Sequence, residues 1–169
     1  MIAQFLLIAI LPAMLLAAAG WDLASFTIPN FLNLAVVAAF GVFALLLGLS
    51  PSAVGLHLLA GLIALCIGFA LFALGYIGGG DAKLYAGAAL WVGLHDLLVY
   101  TLIATILGGF LTLVLLGLRQ MPLPAGLARQ GWILKLHDSQ SGIPYGVALA
   151  AGVFAILPQA EILRLAAAG

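Results

Sequence analysis

Two aspartates at the edges of apolar stretches are the residues of this chain best suited to chemistry. Asp81 closes the run Tyr76-Ile77-Gly78-Gly79-Gly80-Asp81 and is followed by Ala82 and Lys83. That run is a glycine-rich break between two strongly apolar segments, and Asp22 directly follows another such segment. Ionisable side chains are rare in and beside membrane-spanning helices and tend to be functional there. Two carboxylates held close in a poorly solvated place cannot both ionise easily, so they share a proton and titrate in two steps. The ionised member can take a proton from water while the neutral member donates to a carbonyl oxygen. That is peptide hydrolysis of the aspartic-protease type, and it needs neither a metal nor a nucleophilic side chain. The reading requires that Asp22 and Asp81 meet. No serine or cysteine stands in a nucleophile motif, and no Gly-Lys-Ser/Thr phosphate loop occurs.

The glycines fit this use. Without Cβ atoms, Gly78, Gly79 and Gly80 permit unusual dihedrals and close helix approach, and they leave room for an extended substrate backbone beside Asp81. A reading without chemistry also exists: an ordinary turn in which Asp81 caps the next helix. Lys83 reads as a stabiliser of the ionised pair or, preferably, as a contact to lipid headgroups.

Composition says what must hold these residues. Of the 169 residues, 66% are hydrophobic and 6% charged, whereas soluble domains carry about 25% charged residues. The chain therefore reads as an integral membrane protein, one membrane domain over 1–169. Alternation at strand period is absent, which excludes a membrane barrel. Net charge is zero and no basic tract is present, which excludes nucleic acid as a partner. The single cysteine, Cys66, excludes an intrachain disulfide, and the histidines at 57, 95 and 137 lack metal-ligand spacing, so neither metal nor cofactor is expected.

A spanning helix needs about 20 apolar residues, and the chain accommodates six, an all-α polytopic fold. Ile2 to Gly20 is the first. Its start lacks Lys or Arg and its apolar run is too long for a signal core, so it reads as retained. Trp21 to Asn30 follows as a loop, with Trp21 at the interface, Pro29 restraining the chain and Asn30 capping the second span. Phe31 to Leu49 is that span, and Ser50-Pro51-Ser52 a tight turn. Ala53 to Tyr76 is the third, with Ala60, Ala64 and Gly68 as a small-residue packing ridge and His57 packed or interfacial. The fourth must end at Leu94, before the solvated pair His95-Asp96. From Gly78 that is the lower limit for crossing, which puts Asp81 slightly inside the bilayer edge or thins the bilayer locally. Leu97 to Leu118 is the fifth. The loop from Arg119 to Gly142 contains a mixed apolar and basic piece, Leu127 to Leu136, expected on the membrane surface. Ile143 to about Leu157 is the sixth, and Glu161 and Arg164 are spaced to pair on a terminal turn.

With six spans, loops one, three and five share a side and carry Lys83, Arg119, Arg129 and Lys135, against Arg164 alone on the other. The positive-inside rule puts those loops, and both aspartates, on the cytosolic face, with both termini outside.

At this point the residues resemble a family. Gly78-Gly79-Gly80-Asp81 followed by Ala82-Lys83-Leu84 resembles the GxGD signature of type IV prepilin peptidases. Asp22 with Ile28-Pro29-Asn30 resembles their first catalytic aspartate and Ile-Pro-Asn segment. Ile143-Pro144-Tyr145-Gly146 with Ala148 resembles the opening of their last helix. The resemblance implies a membrane aspartyl endopeptidase of the bacterial inner membrane. It would trim the leader of prepilins or pseudopilins on the cytosolic side, after a glycine next to the pilin's hydrophobic helix. Asp22 and Asp81 would be its catalytic pair, and Gly78 and Gly80 the fixed glycines. Longer members carry two CxxC pairs and a methyltransferase activity. Here there is one cysteine, so neither methylation nor zinc is expected, and the short form is similar to peptidases serving tight-adherence (Flp-type) pili. The presenilin group shares GxGD but expects Tyr-Asp where this chain has Trp21-Asp22, a Pro-Ala-Leu segment and more spans.

The rival from another class is a small ion-coupled transporter with Asp22 and Asp81 as ion or proton sites. Against it stand the lack of an inverted repeat and the position of both acids at one face. A third option is an assembly subunit without chemistry.

Overall fold

Glycine sets where the helices stop. The structure, a computed structural model describing the backbone of residues 2–159 and side chains within 9–158, opens with α1 (Ile2–Ser25) and α2 (Asn30–Leu46). These are followed by α3 (Pro51–Ala73), α4 (Gly79–Val92) and α5 (Leu97–Arg119). A 3₁₀ turn at Leu127–Arg129 and the short α6 (Gly131–His137) lead to α7 (Tyr145–Ile156) and a last 3₁₀ turn. No strand occurs among the described residues. Gly48 and Gly75 adopt φ of +60° and +78°. Each ends its helix with the paired bonds of a Schellman motif, Leu49 N–H to Ala44 O and Gly48 N–H to Leu45 O in the first, Tyr76 N–H to Leu71 O and Gly75 N–H to Phe72 O in the second.

Several expected boundaries move for identifiable reasons. The third helix starts at Pro51 rather than Ala53: Ser50 is its N-cap, its Oγ accepting from Ala53 N–H at 3.2 Å, and Pro51 takes the first helical position. The turn lies just before it, at Gly48. The first helix runs on through Trp21 and Asp22, so Asp22 is helical and the connection shrinks to 26–29. Asn30 does not cap α2. Pro29 holds the N-cap position, and no side chain caps that end. The span expected from Gly78 to Leu94 is a helix of only 14 residues, ended by Gly93 at φ +83°.

The buried axis is α4. Ten of its 14 residues are buried, among them Leu84, Tyr85 and Trp91. α3 packs most extensively against it, while α2 and α7 cover other faces, and α7 also joins α1 and α5. Trp91 lies between Phe40 and Phe43 and donates its indole N–H to Val36 O at 3.0 Å. His57 is buried, its ring against Phe40 and its Nδ1 2.6 Å from Leu90 O, a packed histidine as expected. The ridge of Ala60, Ala64 and Gly68 is buried and faces α4. At Gly68 a Cβ would meet Ala82 Cα and O, both at 3.1 Å. Backbone cannot swing aside as a side-chain tip can. Gly68→Leu should therefore lower the thermal midpoint in detergent markedly, by about 1–3 kcal/mol or more of overpacking, whereas Gly55→Leu, with open space around it, should not. Equal midpoints would remove the ridge as a packing device.

Two helices, Pro51–Ala73 and Leu97–Arg119, are long and apolar enough to cross a membrane by length and composition. Both expose leucine, isoleucine and phenylalanine along their lengths. α2, α4 and α7 have 17, 14 and 12 residues. At 1.5 Å per residue α4 is roughly 21 Å long, short of the ~30 Å hydrocarbon core. Of the six spans expected, the structure has six successive main helices of unequal length, and among the described residues two of them have spanning length and composition. Glu161 and Arg164 lie outside the described residues.

Candidate active site

Asp22 and Asp81 reach the site from different helices, and the start of a third helix bonds the first of them. Asp22 lies in the last turn of α1. That helix ends where Phe26 N–H bonds back to Asp22 O at 2.7 Å and Phe26 itself turns left-handed at φ +58°, a conformation uncommon for a bulky residue. Asp81 stands in the first turn of α4, where its Oδ2 accepts the N–H of Gly78 at 3.1 Å. The cap expected from that turn therefore exists. The N-terminus of α7 adds a donor: Gly146 N–H donates to Asp22 Oδ2 at 2.7 Å. Asp81 stands near enough to feel the charge of Asp22. Asp22 is 3% exposed and Asp81 6%. These are two carboxylates in one poorly solvated place, and Asp81 Oδ1 has no partner in the protein.

Close approach is enforced by missing side chains. A Cβ on Gly146 would stand 2.8 Å from Asp22 Oδ2 and 2.9 Å from Ile28 Cδ1. A Cβ on Gly80 would meet Ile28 Cβ and N at 3.1 Å. Ile28, itself buried, is thus the wedge between the start of α4 and the start of α7, and it sets how near the two acids come. Asn33 adds a bond from its Nδ2 to Gly80 O at 3.3 Å. The glycines do serve close approach, but not unusual dihedrals: Gly78 has φ −72°, open to any residue.

The other expected site residues lie around this centre rather than in it. Pro29 begins α2 and accepts from Leu32 and Asn33 N–H. Lys83 Nζ donates to Asn30 Oδ1 at 2.7 Å, so the pair staples α4 to the start of α2. Lys83 is exposed and engages the protein through this bond, and Asn30 serves as its acceptor rather than as a cap. The connection after α5, expected to lie on the membrane surface, also folds back onto the scaffold. Arg119 holds it through Leu136 O and Gly142 O, both at 2.9 Å. Lys135 reaches Ser25 O at 3.2 Å and stands 5.7 Å above the Phe26 ring, closing over the end of the helix that carries Asp22.

α5 backs the start of α7: a Cβ on Gly108 would touch the Tyr145 ring at 3.1 Å, and Tyr145 immediately precedes Gly146.

Gly146 and Ile28 fall inside recognisable segments of the sequence, yet neither carries a mark of its role at the site. Gly146 contributes a backbone N–H, which no residue type announces. Ile28 looks like any apolar residue until the glycines facing it are known.

An all-helical protein with two apolar helices of spanning length among its described residues belongs with the membrane proteins, and this one buries two carboxylates. The model of the type IV leader peptidase family matches residues 9–113. The match includes Asp22, the Ile28-Pro29-Asn30 segment and the whole run around Asp81, and the chain belongs to that family. No curated protein and no solved structure matches it. Membership makes peptide-bond hydrolysis the activity of its class and prepilin-type proteins the substrates.

Proposed function

We propose that the protein is an aspartyl endopeptidase that removes the leader from type IV prepilins, with tight-adherence (Flp-type) prepilins as the substrates to test. Asp22 and Asp81 activate water between them. The observation that carries this reading is the burial of both acids within reach of each other's charge, Asp22 bonded by the Gly146 N–H and Asp81 by the Gly78 N–H. Two buried acids so placed favour a shared proton: one carboxylate stays charged and deprotonates water, and the other stays neutral and protonates the carbonyl oxygen. Gly78 N–H holds Asp81 Oδ2, which leaves Oδ1 for water or substrate. Gly80, Ile28 and Gly146 fix the spacing of the pair. Lys83, Asn30 and Pro29 brace the α2–α4 corner that carries Ile28.

Lys83, Arg119, Arg129 and Lys135 all fall on the side of the chain that holds the acids. The positive-inside rule makes that side cytosolic, in a bacterial inner membrane, with both termini outside and six helices in the bilayer. The purified protein in detergent, mixed with an Flp-type prepilin, should release the leader by a single cut, read by mass spectrometry of both fragments. Intact prepilin after prolonged incubation with folded protein would overturn the reading.

A further inference from the structure

We infer that the cleft between α3 and α5 is the entry for an apolar, membrane-inserted segment of the substrate, and that Gly109 sets the side-chain bulk accepted beside the scissile bond. The inference rests on the reading of Asp22 and Asp81 as a proteolytic pair, and it specifies what that pair receives.

A cavity of about 350 Å³ opens there, with Leu71, Asp81, Tyr85, Thr105, Gly109 and Tyr145 among its walls. Binding pockets begin at about 300 Å³, so it suits a short stretch of chain and not a whole helix. Its flanks, α3 and α5, are the two helices of spanning length, yet they scarcely touch each other. The mouth between them faces sideways, toward lipid. A ligand arriving by that route comes out of the bilayer and is apolar.

The walls agree with such a ligand. Thr105 Oγ1 is bonded to Thr101 O at 2.7 Å, Thr101 Oγ1 to Leu97 O at 2.7 Å, and the Tyr85 hydroxyl to Thr101 Oγ1 at 2.6 Å. Their polar atoms are satisfied within the protein. What remains for the occupant is chiefly methyl, ring and methylene surface, with the hydroxyls of Tyr76 and Tyr145. The one carboxylate is Asp81, which lines the cavity and carries the unpartnered, buried Oδ1. An apolar space with one reactive carboxylate in its wall is the arrangement needed to hold a lipid-embedded segment while its adjoining bond meets water. At Gly109 a Cβ would touch nothing within 4 Å, so a larger residue there fills the cavity without displacing the scaffold.

Gly109→Phe should cut an Flp-type prepilin at least ten-fold more slowly than wild type. The loss should shrink when alanine replaces the large apolar residues just after the cleavage site. A second measurement does not depend on turnover. In a Cys66→Ser background, Gly109→Cys should form disulfides with cysteines placed in the apolar segment of the prepilin. Leu45→Cys, exposed on α2 away from the cleft, should not. Cleavage by Gly109→Phe at the wild-type rate, or equal crosslinking from both positions, would overturn the inference. So would native mass spectrometry showing a phospholipid lost from Gly109→Phe with cleavage unchanged, since the cleft would then be a lipid site. If wild type cleaves no prepilin, the proteolytic reading fails instead, and the crosslinks report separately on the cleft.

Discussion

Asp22→Asn and Asp81→Asn should each abolish prepilin cleavage, by at least about 10³-fold, while the protein stays folded. General acid and base contributions typically reach about 10²–10⁴-fold each, and groups that act as a unit fail together when one is removed. The double variant should therefore be little worse than either single one. Stability should hold because a side-chain amide keeps the acceptor that each site uses. Its carbonyl oxygen at position 22 would still take the Gly146 N–H in place of Asp22 Oδ2, and at position 81 it would take the Gly78 N–H. Burying a neutral amide also costs less than burying a carboxylate. Leader release in detergent and a thermal melt measure the two halves of this expectation. Wild-type processing by either variant would remove the dyad.

Gly146→Ala should be nearly as damaging although it changes no ionisable group. The added methyl would stand 2.8 Å from Asp22 Oδ2, 3.1 Å from Asp22 Cβ and 2.9 Å from Ile28 Cδ1. Asp22 Cβ is fixed to its helix, so α7 must back away. That lengthens the 2.7 Å bond that holds Asp22. Misplacement by about 1 Å can cost about 10²-fold in rate, and overpacking costs about 1–3 kcal/mol. Cleavage should fall about 100-fold with a modest drop in thermal midpoint. Gly80→Ala should fall between this variant and wild type, because its methyl meets Ile28 at 3.1 Å and needs only a few tenths of an ångström. Gly117→Ala on α5, with nothing within 4 Å, should retain activity and gain stability, since alanine is the better helix former. A Gly146→Ala protein as active as Gly117→Ala would show that the amide does not position the pair.

Asp22, Asp81 and the main helices are legible in the sequence because each leaves a local mark. An acid beside a long apolar run stands out, and so does a run of three glycines. What escapes depends on pairs far apart in the chain or on main-chain atoms. Lys83 and Asn30 are 53 positions apart, and Lys135 reaches a carbonyl 110 positions away. No local pattern pairs such residues, so Lys83 reads as a headgroup contact and Asn30 as a cap. Counting apolar residues gives α4 a near-spanning length because Gly93 does not interrupt the apolar run, whereas its positive φ ends the helix.

The shortness of α4 bears on how substrate and solvent arrive. At roughly 21 Å it is shorter than a ~30 Å hydrocarbon core, and it carries Asp81 in its first turn. A bilayer meets a short helix by thinning around it, and such a dimple would bring water nearer the carboxylates. Acyl-chain length then becomes a rate parameter: bilayers of short-chain lipid should quicken the enzyme, and thick ones should starve it of water.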